Sequence, residues 1–252
     1  TGNKERASRG VLISGGRILE LVDEFPRVEY DEVFDASGLV LIPGLINCHH
    51  HFYQTLTRAL PAALNKELFP WLASLYPVWS KLTEESVRAS TRTAVCELLL
   101  SGCTTTVDHH YVFSKTLSRA IDVQAEEIKS LGIRAILTRG SMSLSQENGG
   151  LPPSNVVQTE DVILKDSERL IDRWHDHSEG AMLQIALAPC SPFSVTEELM
   201  SASAQLAREK KVLLHTHLAE TSGENSFCEN LYGCRPLDYL EKVGWLSSNV
   251  WL

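Results

Sequence analysis

The chain has 252 residues, 43% of them apolar and 22% charged, enough to bury one large globular core with or without a small companion. Its net charge of −9 argues against nucleic acid as the main partner, because phosphate binding needs a basic face. No apolar run of about 18 residues occurs, and no basic start leads into an apolar stretch, so neither a membrane-spanning helix nor a signal peptide is expected.

Six cysteines (Cys48, Cys96, Cys103, Cys190, Cys228 and Cys234) are scattered, and no two form a CxxC pair. In a chain of this size that pattern reads as reduced thiols in a cytoplasmic protein. Residues 1–42 are β-rich. "GVLISGGRILEL" sets two strand-like runs around Gly15-Gly16, a hairpin signal, and "EVFDASGLVLIPG" repeats the pattern. This region is expected to supply part of a small sheet.

From Leu39 onward short apolar or β-branched runs alternate with amphipathic segments. The runs fall at 39–48, 103–108, 133–139, 182–189, 212–218 and 249–252. The clearest helix runs from Thr83 to Ser101. Thr83 is a natural N-cap, Glu84 and Glu85 suit the positive end of the helix dipole, and Gly102 suits the position just past the last turn. Val87, Ala94, Val95, Leu98 and Leu99 give that helix an apolar face. Segments 117–131, 160–176, 196–210 and 235–243 behave similarly. Such alternation implies parallel strands joined by crossover helices. Six strands fit a doubly wound sheet, whereas a (β/α)8 barrel needs eight. The stretch 140–160, rich in Ser, Gly, Pro and Asn, reads as a strand-to-helix loop of the kind that shapes a pocket.

Histidines gather where strands are expected to end. His49, His50 and His51 close the first run, His109 and His110 follow "TTTVD", and His215 and His217 lie in "VLLHTHLAE". In a parallel α/β fold the carboxyl ends of the strands share one side of the molecule, where sites form. Residues i and i+2 of a strand share a face, so His49 and His51 can reach one ion while His50 points away. Neutral imidazole is a common ligand for zinc and related metals. Glu220, three residues beyond His217, is then placed to move protons next to an activated water. His215 shares the face of His217, either beside the site or simply packed.

Together these residues resemble the amidohydrolase superfamily, in its deaminase and triazine-hydrolase branch. "PGLINCHHH" is similar to that family's PG-x4-HxH opening motif, and "HTHLAET" to its fifth-strand motif. The resemblance covers nearly the whole chain. It implies a (β/α)8 TIM barrel, of which residues 43–252 would be the N-terminal part, preceded by a partial β-sandwich at 1–42. It implies one divalent metal ion, zinc or iron(II), held by His49, His51 and His217, with Glu220 as the catalytic proton shuttle. Gln54 corresponds to a glutamine that grips the purine edge, and Cys190 replaces a substrate-contacting histidine. His109 or His110, at the second strand end, would line the pocket; His110 is taken as the contact. No lysine ends the fourth strand, "LQIALAPC", so the lysine-bridged two-metal form is not expected.

The activity so implied is hydrolytic deamination of a bare, oxidised purine-type heterocycle, a small-molecule substrate, by an enzyme that is homo-oligomeric when complete. Alternatives within the family are s-triazines, guanine and nucleosides. On the same resemblance, Leu252 falls inside the sixth strand, ahead of a further metal-binding histidine and an eighth-strand aspartate, so a non-catalytic fragment is the competing expectation.

Overall fold

A computed structural model describes residues 10–252; residues 1–9 of the expected N-terminal sheet lie outside the described part. The chain divides into two compact units, with the boundary in the sequence between Pro43 and Gly44.

The described part of the first unit is one hairpin followed by residues 23–43, which form turns and irregular backbone but no helix or strand. Strand β1 (Gly10–Ser14) pairs antiparallel with β2 (Arg17–Val22), and a bulge falls at Leu12/Ile13. The loop is Gly15-Gly16, both with positive φ (56° and 72°), which suits the tight turn whose twist matches the flanking strands. The second β-rich run differs from expectation: residues 31–44 form no strand. Leu39, Val40, Leu41 and Ile42 are all exposed there. A strand needs a neighbour for its N–H and C=O groups, and apolar composition alone does not supply one.

The second unit is a six-stranded, all-parallel sheet. Its strands are β3 (Leu45–His50), β4 (Cys103–His110), β5 (Arg134–Ser141), β6 (Leu183–Pro189), β7 (Leu214–His215) and β8 (Val250–Trp251). Each pairs with the next in chain order. A doubly wound sheet reverses its order at a switch point, and strictly sequential order is that of a barrel wall. The alternative left open by strand count is thereby decided in favour of the (β/α) barrel.

The crossovers carry α1 (Leu68–Trp79), α2 (Glu84–Leu100), α3 (Ala120–Leu131), α4 (Glu160–Trp174), α5 (Glu197–Lys210), α6 (Ser222–Tyr232) and α7 (Pro236–Lys242). Helix α2 starts as its sequence predicts: Thr83 Oγ1 accepts the Ser86 N–H at 3.2 Å, and Gly102 follows its end at φ 84°. Helices α2 to α5 pack on β4 to β7 and on one another, which buries Val87, Ile121, Ile128, Ile163, Leu199 and Leu206. Two helices have no counterpart among the expected elements. In α1, "LFPWLASLYPVW" is almost uniformly apolar and holds Pro70 and Pro77, so it shows neither an amphipathic period nor a clean helix signal. In α6, Gly223, Asn225 and Asn230 lower the local propensity.

The top of the wall is tightly built between β4 and β5. A Cβ added at Gly140 would lie 2.3 Å from the His110 carbonyl oxygen. No described helix is long and apolar enough to cross a membrane.

Candidate metal centre

Strand alternation decides which histidines converge. On β4, His109 turns inward and stacks on His49 (4.4 Å between ring centroids) and lies 4.0 Å from the His215 ring. His110, one residue on, turns outward. Its Nε2 donates to the Val112 carbonyl at 2.8 Å, and its ring sits against Tyr53 and Phe113. His110 is absent from the lining of the cavity. The expectation that His110 contacts substrate therefore does not hold, because consecutive strand residues face opposite sides of the wall.

The inward rings are oriented by carbonyl oxygens, which can only accept. His51 Nδ1 donates to His109 O at 2.6 Å, His217 Nδ1 to Cys190 O at 2.7 Å, and His215 Nδ1 to Trp251 O at 3.0 Å. Each therefore carries its proton on Nδ1 and presents an Nε2 lone pair. His51 Nε2 lies 3.2 Å from His49 Nε2 and 3.3 Å from His217 Nε2. Lone pairs of His51 and His217 facing each other without a proton between them repel; a cation between them removes the conflict. Two imidazole nitrogens on one tetrahedral zinc, each about 2.0–2.1 Å from the ion, lie roughly 3.3 Å apart. The donor set therefore fits a divalent metal of the zinc type. His215 joins His49 and His217 in a cluster whose ligand atoms lie within 4.8 Å of one another. Its Nε2, and both ring nitrogens of His109, have no hydrogen-bond partner among the described residues.

Burial keeps these rings neutral. It lowers His49 to about 4, with help from the neighbouring His217 ring, and lowers His215 to about 3, helped by His217 and His49. Burial also carries His51, His109 and His217 below the usual imidazole range.

Beside the imidazoles opens a cavity of about 250 Å³, at the small end of ligand pockets. His49, His51, His217, Gln54, Cys190 and Glu220 all line it, so six of the seven expected site residues come together. The Gln54 amide nitrogen donates to the hydroxyls of Tyr53 (3.3 Å) and Tyr111 (3.4 Å). Cys190 is buried, and its thiol is pushed up to about 12, first by burial, so it stays protonated. Burial also raises the Glu220 carboxyl above the usual carboxylate range, toward a group that can carry a proton. An apolar wall of Trp71, Tyr111, Phe193 and two leucines of α1 completes the cavity. None of the wall residues was expected. For the α1 part of the wall, the aromatic density of "FPWLASLYPVW" after the triple histidine was the available signal.

A family model described as the amidohydrolase family matches residues 40–252. The whole chain aligns at 55% identity with 57% of an 8-oxoguanine deaminase from Pseudomonas aeruginosa. It aligns at 35% identity, over 96% of its length, with 52% of hydroxydechloroatrazine ethylaminohydrolase from Pseudomonas sp. (strain ADP). Among solved structures, atrazine chlorohydrolase TrzN from Arthrobacter aurescens, complexed with zinc, superposes with a TM-score of 0.91 at 33% identity, covering 96% of this chain and 55% of that one. The chain thus spans about half the length of the relatives it matches.

Proposed function

The chain belongs to the amidohydrolase family, and from that premise we propose that it carries three of the metal ligands of a hydrolytic deaminase acting on a purine-type base, 8-oxoguanine first. The observation that carries this reading is the convergence of His49, His51 and His217 with Glu220 and Gln54 on one small cavity. The 55% identity to an 8-oxoguanine deaminase supports the choice of substrate.

His49, His51 and His217 would hold a single divalent ion through Nε2, zinc by the chemistry of the donors, with iron(II) compatible with the same set. Such an ion, when bound, supplies the Lewis acidity that readies water for attack on the amine-bearing ring carbon. The chain's own residues do the rest. Glu220, its affinity for protons raised by burial, hands a proton to the ring nitrogen beside that carbon and helps ammonia leave. Gln54 offers its amide to the heterocycle edge, held by Tyr53 and Tyr111. Protonated Cys190 sits against the ring as a small polarizable wall and weak donor. Water plus the C–NH2 group gives C=O and ammonia; for 8-oxoguanine the product is urate. All six cysteines are free, which supports a reducing, cytoplasmic setting.

The test is ammonia release by the metal-loaded, full-length protein from 8-oxoguanine, guanine, a hydroxylated s-triazine and adenosine, with metal content measured in parallel. About one equivalent of metal and preference for 8-oxoguanine is expected. Preference for the triazine would overturn the substrate assignment, and metal-free protein without turnover would overturn the whole reading.

A further inference from the structure

Glu220 sits on a turn whose geometry needs an explanation. Strand β7 ends at His215, and α6 begins at Ser222. Between them Ala219 adopts φ 56°, the left-handed region that a residue with a Cβ enters at a cost of about 1 kcal/mol. That single left-handed step turns the chain so that His217 before it and Glu220 after it line the same cavity. An alanine holds such a conformation only where the surroundings enforce it.

The enforcing group is Glu224. Its side chain is fully buried on the first turn of α6. Its Oε2 accepts the backbone N–H of Glu220 at 2.8 Å, and the N–H of Ala219 faces the same carboxylate. The spacing Thr221-x-x-Glu224 is that of a capping box, in which the glutamate at the third helical position reaches back to the N-cap N–H. Here it reaches one residue further, past Thr221, to Glu220. The Thr221 hydroxyl makes no cap hydrogen bond in return. The carboxylate is thus diverted from helix capping to the peptide that carries the proton shuttle. Its other oxygen, Oε1, has no hydrogen-bond partner among the described residues, so the burial of this acid is not repaid by helix capping.

We propose that Glu224 is a positioning residue: by holding the Ala219–Glu220 peptides in the left-handed turn, it aims the Glu220 carboxyl into the cavity beside His217. This rests on the deaminase reading for its catalytic consequence but not for its structural one. What matters is reach, the distance from the α6 backbone to the Glu220 N–H, and not charge.

Reach and charge are separable. Glu224→Gln keeps the length and an acceptor oxygen but loses the charge; Glu224→Asp keeps the charge but is one methylene short. Steady-state ammonia release by the full-length, metal-loaded protein should rank wild type and Glu224→Gln within about threefold in kcat. Glu224→Asp should lie tenfold or more below, and Glu224→Ala lower still, with KM within about threefold and metal content unchanged throughout. Adding Ala219→Gly to Glu224→Asp should recover part of the lost kcat, because glycine adopts the turn without strain. Hydrogen exchange of the 218–221 amides supplies a readout independent of turnover. It should accelerate at least tenfold in Glu224→Asp and stay near wild type in Glu224→Gln. Equal kcat and equal exchange in all variants, or Glu224→Asp outperforming Glu224→Gln, overturns the proposal. A wild type that releases no ammonia refutes the deaminase reading instead, and the exchange ranking still decides the role of Glu224.

Discussion

Replacing Asp108 by asparagine should stabilise the protein at alkaline pH and not at acid pH. Asp108 lies on β4, fully buried. Its Oδ1 accepts the Phe52 N–H at 2.6 Å and its Oδ2 the Gln124 amide at 2.6 Å. It thereby ties the turn after the triple histidine to β4 and α3. Burial raises the carboxyl to about 7, against the pull of those hydrogen bonds and of the His109 N–H. A carboxyl raised from the ordinary value near 3.9 contributes its full stability below that value and loses it as pH rises through 7. The loss at its full extent is about 4 kcal/mol, since each pKa unit is worth about 1.4 kcal/mol. Asparagine carries no charge and keeps an acceptor for Phe52. Gln124 Oε1 lacks a partner, so a flipped Gln124 amide can accept from the new amide. The gap in Tm between Asp108→Asn and wild type, followed by thermal melts at pH 5 and pH 8 at fixed metal, should move in the variant's favour by about 5–10 °C across that range. Histidine titration is common to both proteins and cancels in the gap. A gap that stays constant, or moves toward the wild type as pH rises, would show that the hydrogen bonds keep Asp108 ionised throughout, and the burial argument would fail.

Other outcomes follow from the same geometry. Glu220→Gln should retain the metal and lose at least a hundredfold in kcat; retained turnover would remove Glu220 from the proton path. Gly140→Ala forces a Cβ to within 2.3 Å of the His110 carbonyl and should destabilise by about 3 kcal/mol or prevent folding, read as a lowered melting temperature. Because burial and the neighbouring His217 ring hold His49 near 4, protons should displace the metal only as pH approaches that value, not near 6.5. Metal content after dialysis at pH 5.5 checks this, and half-loss at pH 6.5 would contradict it.

Much of this protein can be read from spacing alone. The i, i+2 pair His49/His51 is a local periodicity that extended-chain geometry translates directly into a shared face, whereas the three-residue step from His217 to Glu220 reaches the same cavity through the left-handed turn at Ala219. Thr83, the following glutamates and Gly102 mark α2 for the same reason, since caps act over a few residues. Gly15-Gly16 likewise announces its hairpin turn.

Tertiary structure decided the rest, because each remaining question concerned partners distant in sequence. Whether Leu39–Ile42 becomes a strand depends on a neighbour, and none is paired with it in the described chain. Whether His109 or His110 faces the site depends on how β4 sits in a sequentially ordered wall. Helix α1 hides in an apolar, proline-bearing run whose helicity is stabilised by burying Leu72, Leu75, Tyr76 and Trp79, not by intrinsic propensity. The lone-pair orientation of three imidazoles is set by carbonyls of His109, Cys190 and Trp251, the nearest of them 27 residues away along the chain. Local sequence specifies which groups are offered; only the sequentially ordered wall of parallel strands specifies which of them meet, because convergence is a property of long-range packing.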